Sequence, residues 1–325
     1  MTSVARRIAI TGASGYLAGR LIQRLEGNAE VEHILALDIR PLGQAVGPKL
    51  TFVRHDVSKP MGSLFADNDI DTVVHLAFIL NPGHDREAIR KVNVGGTANV
   101  LQACEGTRVR QVLYLSSTSV YGAHADNQEY LTEESPPRPV KGFQYSEDKA
   151  QAESLITGFT ERHPSVVGTI LRVCPVMGPN ADNFISRAYS KPFLVGVRGY
   201  NPLLQFFHED DLVDLILLCL AKRPSGIYNV AGDGTISWED AVRSHGRKLL
   251  SFPAALLYGL TDLTWKLRLQ KDSPACGLDM IRYPWLASTE KIKNELGVEF
   301  QHTSREAWES FTGKGEPSKH REAKS

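Results

Sequence analysis

The chain has 325 residues, 42% of them hydrophobic and 23% charged, with 37 basic side chains balancing 37 acidic ones. One large domain, or two coupled ones, can bury a substantial core at this size, and the balanced charge gives no reason to expect nucleic acid or a membrane as partner. The cysteines at 104, 174, 219 and 276 lack metal or disulfide spacing, Met1 to Arg7 lacks an apolar targeting core, and no apolar run reaches membrane-spanning length, so a cytoplasmic protein is expected.

Ile8 to Gly19 reads as a buried strand, a glycine turn and the start of a helix. Gly12 permits a tight turn, and Gly15 lets the backbone approach a pyrophosphate with no Cβ in the way. The amides of Ser14, Tyr16 and Leu17, where the helix opens, would meet the negative charge. The pattern Gly12-x-x-Gly15-x-x-Ala18 is a variant of the usual three-glycine dinucleotide fingerprint. His33 to Asp38 reads as a second strand ending in a carboxylate, 23 residues after Gly15. An acid at about that offset meets the ribose 2′-hydroxyl and repels a 2′-phosphate, which favours NAD. Arg40 works against that preference, because it could accommodate the 2′-phosphate of NADP.

Leu50 to Asp56 is a third strand, with Asp56 and Val57 placed to reach an adenine. Asp71 to Ala77 is a fourth, and Leu76 and Ala77 at its end should pass under the cofactor phosphates. His75 is expected to pack below the cofactor. Phe78 and His84, just beyond, are candidate substrate contacts. Asp85 to Cys104 reads as a helix carrying Asn93 and the glycines at 95 and 96, which close backbone packing would explain. Gln111 to Ser116 is a fifth strand. Strands alternating with helices give an α/β fold with a parallel sheet and right-handed crossovers.

The chemistry falls at the end of that fifth strand, where open α/β sheets bind ligands. Ser116 to Gly122 supplies hydroxyls, among them Ser117 and Thr118. A proline-rich loop follows, with His124 ahead of it as a further candidate substrate contact. Tyr145 and Lys149 then stand four residues apart on one helix face. A lysine ammonium beside a tyrosine is expected to lower the phenol's pKa from about 10 and make it a usable acid or base. Ser117 would hold the substrate oxygen against it.

These motifs together resemble the extended short-chain dehydrogenase/reductases, the NAD-dependent epimerase/dehydratase superfamily. The resemblance rests on Thr11-Gly12-x-x-Gly15, Asp38, Asp56-Val57, His75-Leu76-Ala77, Asn93, Ser116-Ser117 and Tyr145-x-x-x-Lys149. It extends through Leu171-Arg172, Val176, Gly178-Pro179, Phe207-His208, Asp210-Asp211 and Tyr228-Asn229, covering residues 8 to 236. It implies a doubly wound Rossmann domain with a smaller C-terminal substrate domain, and catalysis by Ser117, Tyr145 and Lys149 with bound NAD or NADP. Lys149 would also hold the cofactor ribose, and the segment with Pro175 and Val176 would pass the nicotinamide. It further implies a homodimer through the helices around 87–104 and 146–159.

Family dehydratases carry an Asp-Glu pair where this chain has Thr118-Ser119, which argues against dehydration. Cys174-Pro175 stands where nucleotide-sugar epimerases commonly have Asn-Pro. The stretch from Ser251 to Leu269 reads as one amphipathic helix that either packs on its own domain or caps an apolar substrate; followed by Ser288 to Gly297, it resembles the hydroxysteroid-dehydrogenase-like and dihydroflavonol-reductase-like branches, which act on hydrophobic alcohols and ketones. An oxidoreductase is therefore expected. An epimerase with tightly held NAD and a non-catalytic dinucleotide sensor remain as alternatives. The expected layout places a Rossmann domain at 1–180, rejoined at 204–236, a substrate part at 181–203 and 237–311, and a disordered tail at 312–325. His208, Asp210 and Asp211 are expected to anchor the crossover between domains, and no metal site is expected.

Overall fold

The computed structural model describes residues 7–43, 47–182 and 184–313. In chain order its strands are β1 (Arg7–Thr11), β2 (His33–Asp38), β3 (Leu50–Arg54), β4 (Thr72–His75), β5 (Gln111–Ser117), β6 (Val167–Val173) and β7 (Val176–Met177). They continue with β8 (Phe193–Val197), β9 (Leu203–Leu204), β10 (Phe207–His208), β11 (Gly226–Val230), β12 (Ile236–Ser237) and β13 (Lys248–Phe252). The helices are α1 (Tyr16–Glu26), α2 (Gly62–Asp67), α3 (Arg86–Arg90), α4 (Gly96–Cys104), α5 (Gln144–Arg162), α6 (Phe184–Tyr189) and α7 (Glu209–Lys222). They end with α8 (Trp238–Ser244), α9 (Ala254–Lys266), α10 (Glu290–Leu296) and α11 (Ser304–Phe311).

Seven strands form one sheet in the order β11-β6-β5-β4-β1-β2-β3, and every pairing in it is parallel. The strand order reverses between β1 and β4, which opens a crevice at their carboxyl ends. Both sheet faces are apolar because alternate residues of each strand serve opposite layers. Ile8, Ile10, Ile34 and Ala36 join the core under α1 and α7. Ala9, Leu35, Leu37 and Val73 join the core under α2, α4 and α5. The C-terminal part has its own core, centred on the fully buried Trp238 and Trp308 with Phe206 and Met177. Parallel pairing of β8 with β13 and antiparallel pairing of β9 with β12 frame it.

Three boundaries differ from the sequence reading. Ser251 and Phe252 are not helical but end β13, and α9 starts after Pro253, which has no amide hydrogen to extend the ladder. Residues 290–300, assigned from sequence to the substrate part, pack on the Rossmann sheet: Ile292 and Leu296 join its core, and Lys291 donates to the Ile227 carbonyl. The helix from Asp85 is interrupted by a π turn at Lys91–Gly95, which lies under the site. Gly96 is required there, since a Cβ would lie 2.7 Å from Val57 Cγ2, whereas Gly95 has no such neighbour. From residue 314 on, the expected disordered tail lies outside the described residues.

The crossover residues do act as anchors. His208 caps α7 by accepting from the Asp210 amide and stacks on His302, whose ring nitrogen and amide both meet Asp211. Buried Glu209 accepts from the Asn180 amide and side chain. Among the described residues no group of three or more metal-ligating side chains occurs, and no helix is long and apolar enough to cross a membrane.

Candidate active site

The crevice is built first from backbone. Gly12 has φ +73°, and a Cβ on it would lie 2.7 Å from the Ala77 amide nitrogen and 2.9 Å from the Leu76 carbonyl carbon. The turn thus lies directly against the end of β4, the small-residue contact expected at Leu76 and Ala77. Gly15 caps α1 in extended conformation, leaving the amides of Tyr16 and Leu17 at the open helix end. Leu17's side chain is buried in the core, so only its backbone is available.

Asp38 closes the cradle. Its carboxylate accepts from the Ser14 amide at 3.0 Å and from the Arg40 amide at 2.9 Å. Ser14 Oγ donates to the Arg40 carbonyl, and the Arg40 guanidinium stays largely exposed, 3.7 Å from the same carboxylate. The acid therefore holds the loop and faces the crevice rim. Asp56 accepts from the Ser58 amide, and Val57 is buried against α4.

Beneath the cradle runs a buried chain of hydrogen bonds. Thr97 Oγ1 donates to the Asn93 carbonyl, so it accepts from His75 Nε2 at 3.0 Å. His75 Nδ1 then accepts from Thr11 Oγ1 at 2.7 Å, and Thr11 in turn accepts from the Ala77 amide. This assigns a neutral, Nε2-protonated imidazole. Burial, with the Lys149 charge nearby, lowers its pKa to about 3. The unfolded chain takes up a proton near pH 6.5 and the folded one does not, so stability should fall as pH drops from 6.5 towards 3. By this group alone the loss is about 2 kcal/mol at pH 5. Urea midpoints at pH 7 and pH 5 measure it; a slope unchanged in His75→Asn would refute the assignment.

Tyr145 and Lys149 both come from the first turns of α5, with Ser117 at the end of β5 opposite them. Ser117 hydrogen-bonds to the Tyr145 phenol. Phe78 meets Tyr145 edge-on at 5.7 Å, and Phe143 meets it at 6.2 Å. The Lys149 ammonium donates to the Leu115 carbonyl at 2.6 Å, lies 3.8 Å from the Phe78 ring centroid and 4.6 Å from that of Tyr114, and is 5.9 Å from that of Tyr145.

This corrects the expected charge relation. The lysine does not lower the tyrosine pKa in this state. Burial pushes Tyr145 up to about 12, against the Ser117 hydrogen bond, although part of its side-chain surface still lines the cleft. Burial also lowers Lys149 to about 7, against the pull of Glu153. Both groups lose water, and each shift favours the neutral form.

Several candidates turn elsewhere. Ser116 points to the other face of β5 and bonds Glu153 at 2.5 Å, because neighbouring strand residues face opposite ways. Glu153 pairs with Arg172 at 2.7 Å, and Arg172 donates to Tyr121, which donates to Asn229. Removing one partner of this buried pair strands the other charge. Glu153→Ala should therefore cost about 3–5 kcal/mol in chemical unfolding; a loss under about 1 kcal/mol would show the network to be dispensable. Asn93 spends its amide on Ile79 and on Asp148, tying β4's exit loop to α5. His124 Nε2 meets the Arg138 carbonyl at 2.7 Å, fixing the proline-rich loop and not lining the cavity.

A cavity of about 250 Å³ opens beside Tyr145. Ile79, Leu80, Pro82, Ile89, Phe143 and Trp265 supply most of its apolar wall, and His84 and Arg86 its basic groups. His84 stacks on Trp265 at 4.3 Å, and Arg86 is tied to the Gly142 carbonyl and Glu147. Among the described residues no carboxylate lines it. Thr118 and Pro175 line a small recess with Cys174, Gln205 and Trp285; the buried Thr118 hydroxyl has no hydrogen-bond partner among the described residues. Sequence reasoning missed Phe143, and covered Trp265 only as part of the 251–269 stretch that could cap an apolar substrate. Trp265 reaches the cavity only through tertiary packing, while Ile79 and Leu80 could have been inferred from their place at the carboxyl end of β4.

A sequence model of the NAD dependent epimerase/dehydratase family matches residues 8–231. The chain belongs to this family. An uncharacterized protein of Mycobacterium tuberculosis is 27% identical, the match covering 95% of this chain and 84% of that protein. Short-chain dehydrogenase/reductase family 42E member 1 of Xenopus laevis is 30% identical across 65% of this chain and 57% of its own length. Among solved structures, MoeE5 in complex with UDP-glucuronic acid and NAD superimposes with a TM-score of 0.73 at 23% identity, covering 94% of this chain and 98% of that one. UDP-glucose 4-epimerase of Thermotoga maritima with UDP-glucose gives 0.73 at 16% identity, covering 95% and 98%. Family membership makes this an NAD-dependent protein of an enzyme family. The residues fit that cofactor: the Gly12 turn admits no Cβ, and Asp38 presents a carboxylate at the cradle's rim.

Proposed function

We propose that the chain is an oxidoreductase that exchanges hydride between NAD and a secondary alcohol or ketone on a hydrophobic molecule. The observation that carries this reading is the cavity beside Tyr145, which has no carboxylate among its described lining residues and sets Ile79, Leu80, Ile89, Phe143 and Trp265 beside an equal share of polar surface. NAD, when bound, supplies the carbon that takes or gives the hydride and, when oxidised, a positive ring. Ser117 orients the substrate oxygen against the Tyr145 hydroxyl. With its pKa near 12, Tyr145 keeps its proton at neutral pH and is poised to donate it to a carbonyl oxygen. Taking a proton from an alcohol needs added positive charge beside it. Lys149, near its own midpoint at pH 7, can supply that charge by gaining a proton. Trp265, His84 and Phe143 would hold the body of the substrate and exclude water.

A second reading has its own support. MoeE5 is solved with UDP-glucuronic acid or UDP-glucose together with NAD, and an epimerase could use the same tyrosine for an internal oxidation and re-reduction. The test is native mass spectrometry of the purified protein, then NAD and NADP titrations and a substrate screen. NADH formation from hydrophobic secondary alcohols, with reversible NAD binding and weak NADP binding, is the expected result. Stoichiometric retained NAD with interconversion of UDP-sugars and no net NADH would replace the dehydrogenase reading with the epimerase one.

A further inference from the structure

The helix α9 is apolar on two faces. Leu257, Tyr258 and Trp265 face the protein: Leu257 is buried, Tyr258 donates to Asp279 at 2.5 Å, and Trp265 stacks on His84 at the cavity. The other face carries Leu256, Leu260, Leu263 and Leu267, with Leu269 just beyond, and these five are between 54% and 73% exposed. The helical spacing i, i+4, i+7, i+11 puts the first four in one stripe about 16 Å long. A soluble helix ordinarily turns such a stripe inward.

The charge around the stripe is not balanced like the rest of the chain. Residues 247–272 contain five basic side chains, Arg247, Lys248, Lys266, Arg268 and Lys271, against Asp262 and Asp272. Asp262 is paired with Lys266, and Asp272 with Lys191 from α6's exit loop. Arg268 and Lys271 remain exposed at the C-terminal end of the stripe, and Lys248 is exposed at the start of β13.

We infer that this face docks on an anionic lipid surface. An amphipathic helix with a leucine face and a basic rim lies in the headgroup layer, its leucines in the acyl boundary and its cations against the lipid phosphates. Trp265 extends from the same helix to the cavity wall, so a docked α9 would set the cavity beside the bilayer, where hydrophobic molecules concentrate. The docking itself does not depend on the reaction proposed above.

The test is co-sedimentation of the full chain with vesicles of phosphatidylcholine alone and of phosphatidylcholine with phosphatidylglycerol in equal parts, at low and high salt. Binding to the anionic vesicles at low salt is expected, with at least tenfold less on neutral vesicles and a decline with salt. Leu260→Asp with Leu263→Asp should reduce binding to background, and the milder Leu260→Ala with Leu263→Ala should reduce it severalfold. NAD affinity and the circular dichroism spectrum, which report folding, should stay unchanged in both. Absence of binding to anionic vesicles at low salt overturns the inference. So does binding that ignores lipid charge, and so does leucine-dependent self-association in light scattering, which would make the face a contact between copies.

Discussion

Replacing Tyr145 by Phe should lower turnover by about 10²–10⁴-fold while leaving NAD affinity within about threefold. The ring itself is held edge-on by Phe78 and Phe143, and those contacts survive the substitution. Only the hydroxyl bonded by Ser117 is lost. Lys149 keeps its bond to the Leu115 carbonyl and its place over the Phe78 ring, so the cofactor side of the crevice is not disturbed. Steady-state rates and NAD titrations on the same preparation decide the matter. Loss of cofactor binding together with activity would make the tyrosine a structural element. Full activity in the variant would remove it from the chemistry.

Gly12→Ala should weaken NAD binding by about 100-fold or more and lower the unfolding midpoint. Two separate costs combine. A left-handed backbone at φ +73° disfavours any side chain by about 1–2 kcal/mol. The added Cβ would also stand 2.7 Å from the Ala77 nitrogen and 2.8 Å from its Cα, and both are backbone atoms of the sheet edge. Relief requires the phosphate turn to lift away from β4, which moves the Ser14 amide off Asp38. Gly106→Ala is the control, since that glycine has φ +70° with open space around it and carries only the first cost. Equal effects of the two substitutions would show that the close approach at Gly12 does not matter. Calorimetric NAD titration and thermal unfolding of both variants separate these outcomes.

Much of the cofactor half was legible because its determinants are local. The Gly12 turn, the carboxylate ending β2 and the four-residue spacing of Tyr145 and Lys149 are set by backbone conformation and by helix or strand period over short stretches. Apolar strands alternating with amphipathic helices likewise implied the parallel sheet and its crossovers. The expected pairing of a charged lysine with an acidified tyrosine failed for a different reason. The two residues do come from one helix face, but their protonation depends on how much protein surrounds them, and that is a sum over segments distant in sequence. The Ser116 hydroxyl is taken by Glu153, and strand alternation already places it and Ser117 on opposite faces.

The sequence by itself determined the doubly wound sheet, the dinucleotide cradle and the hydroxyl, phenol and ammonium at the sheet's carboxyl edge. Each of these follows from short-range geometry that a few residues impose on their own backbone. The tertiary structure alone decided that Trp265 meets His84 to close a cavity beside Tyr145. It also decided that Ile292 and Leu296 belong to the Rossmann core. It decided, too, which of two apolar faces α9 would bury and which it would leave to the outside. Leucines at helical spacing state only that a face is apolar. Which face is covered depends on the segments that pack against it, and those arrive from elsewhere in the chain.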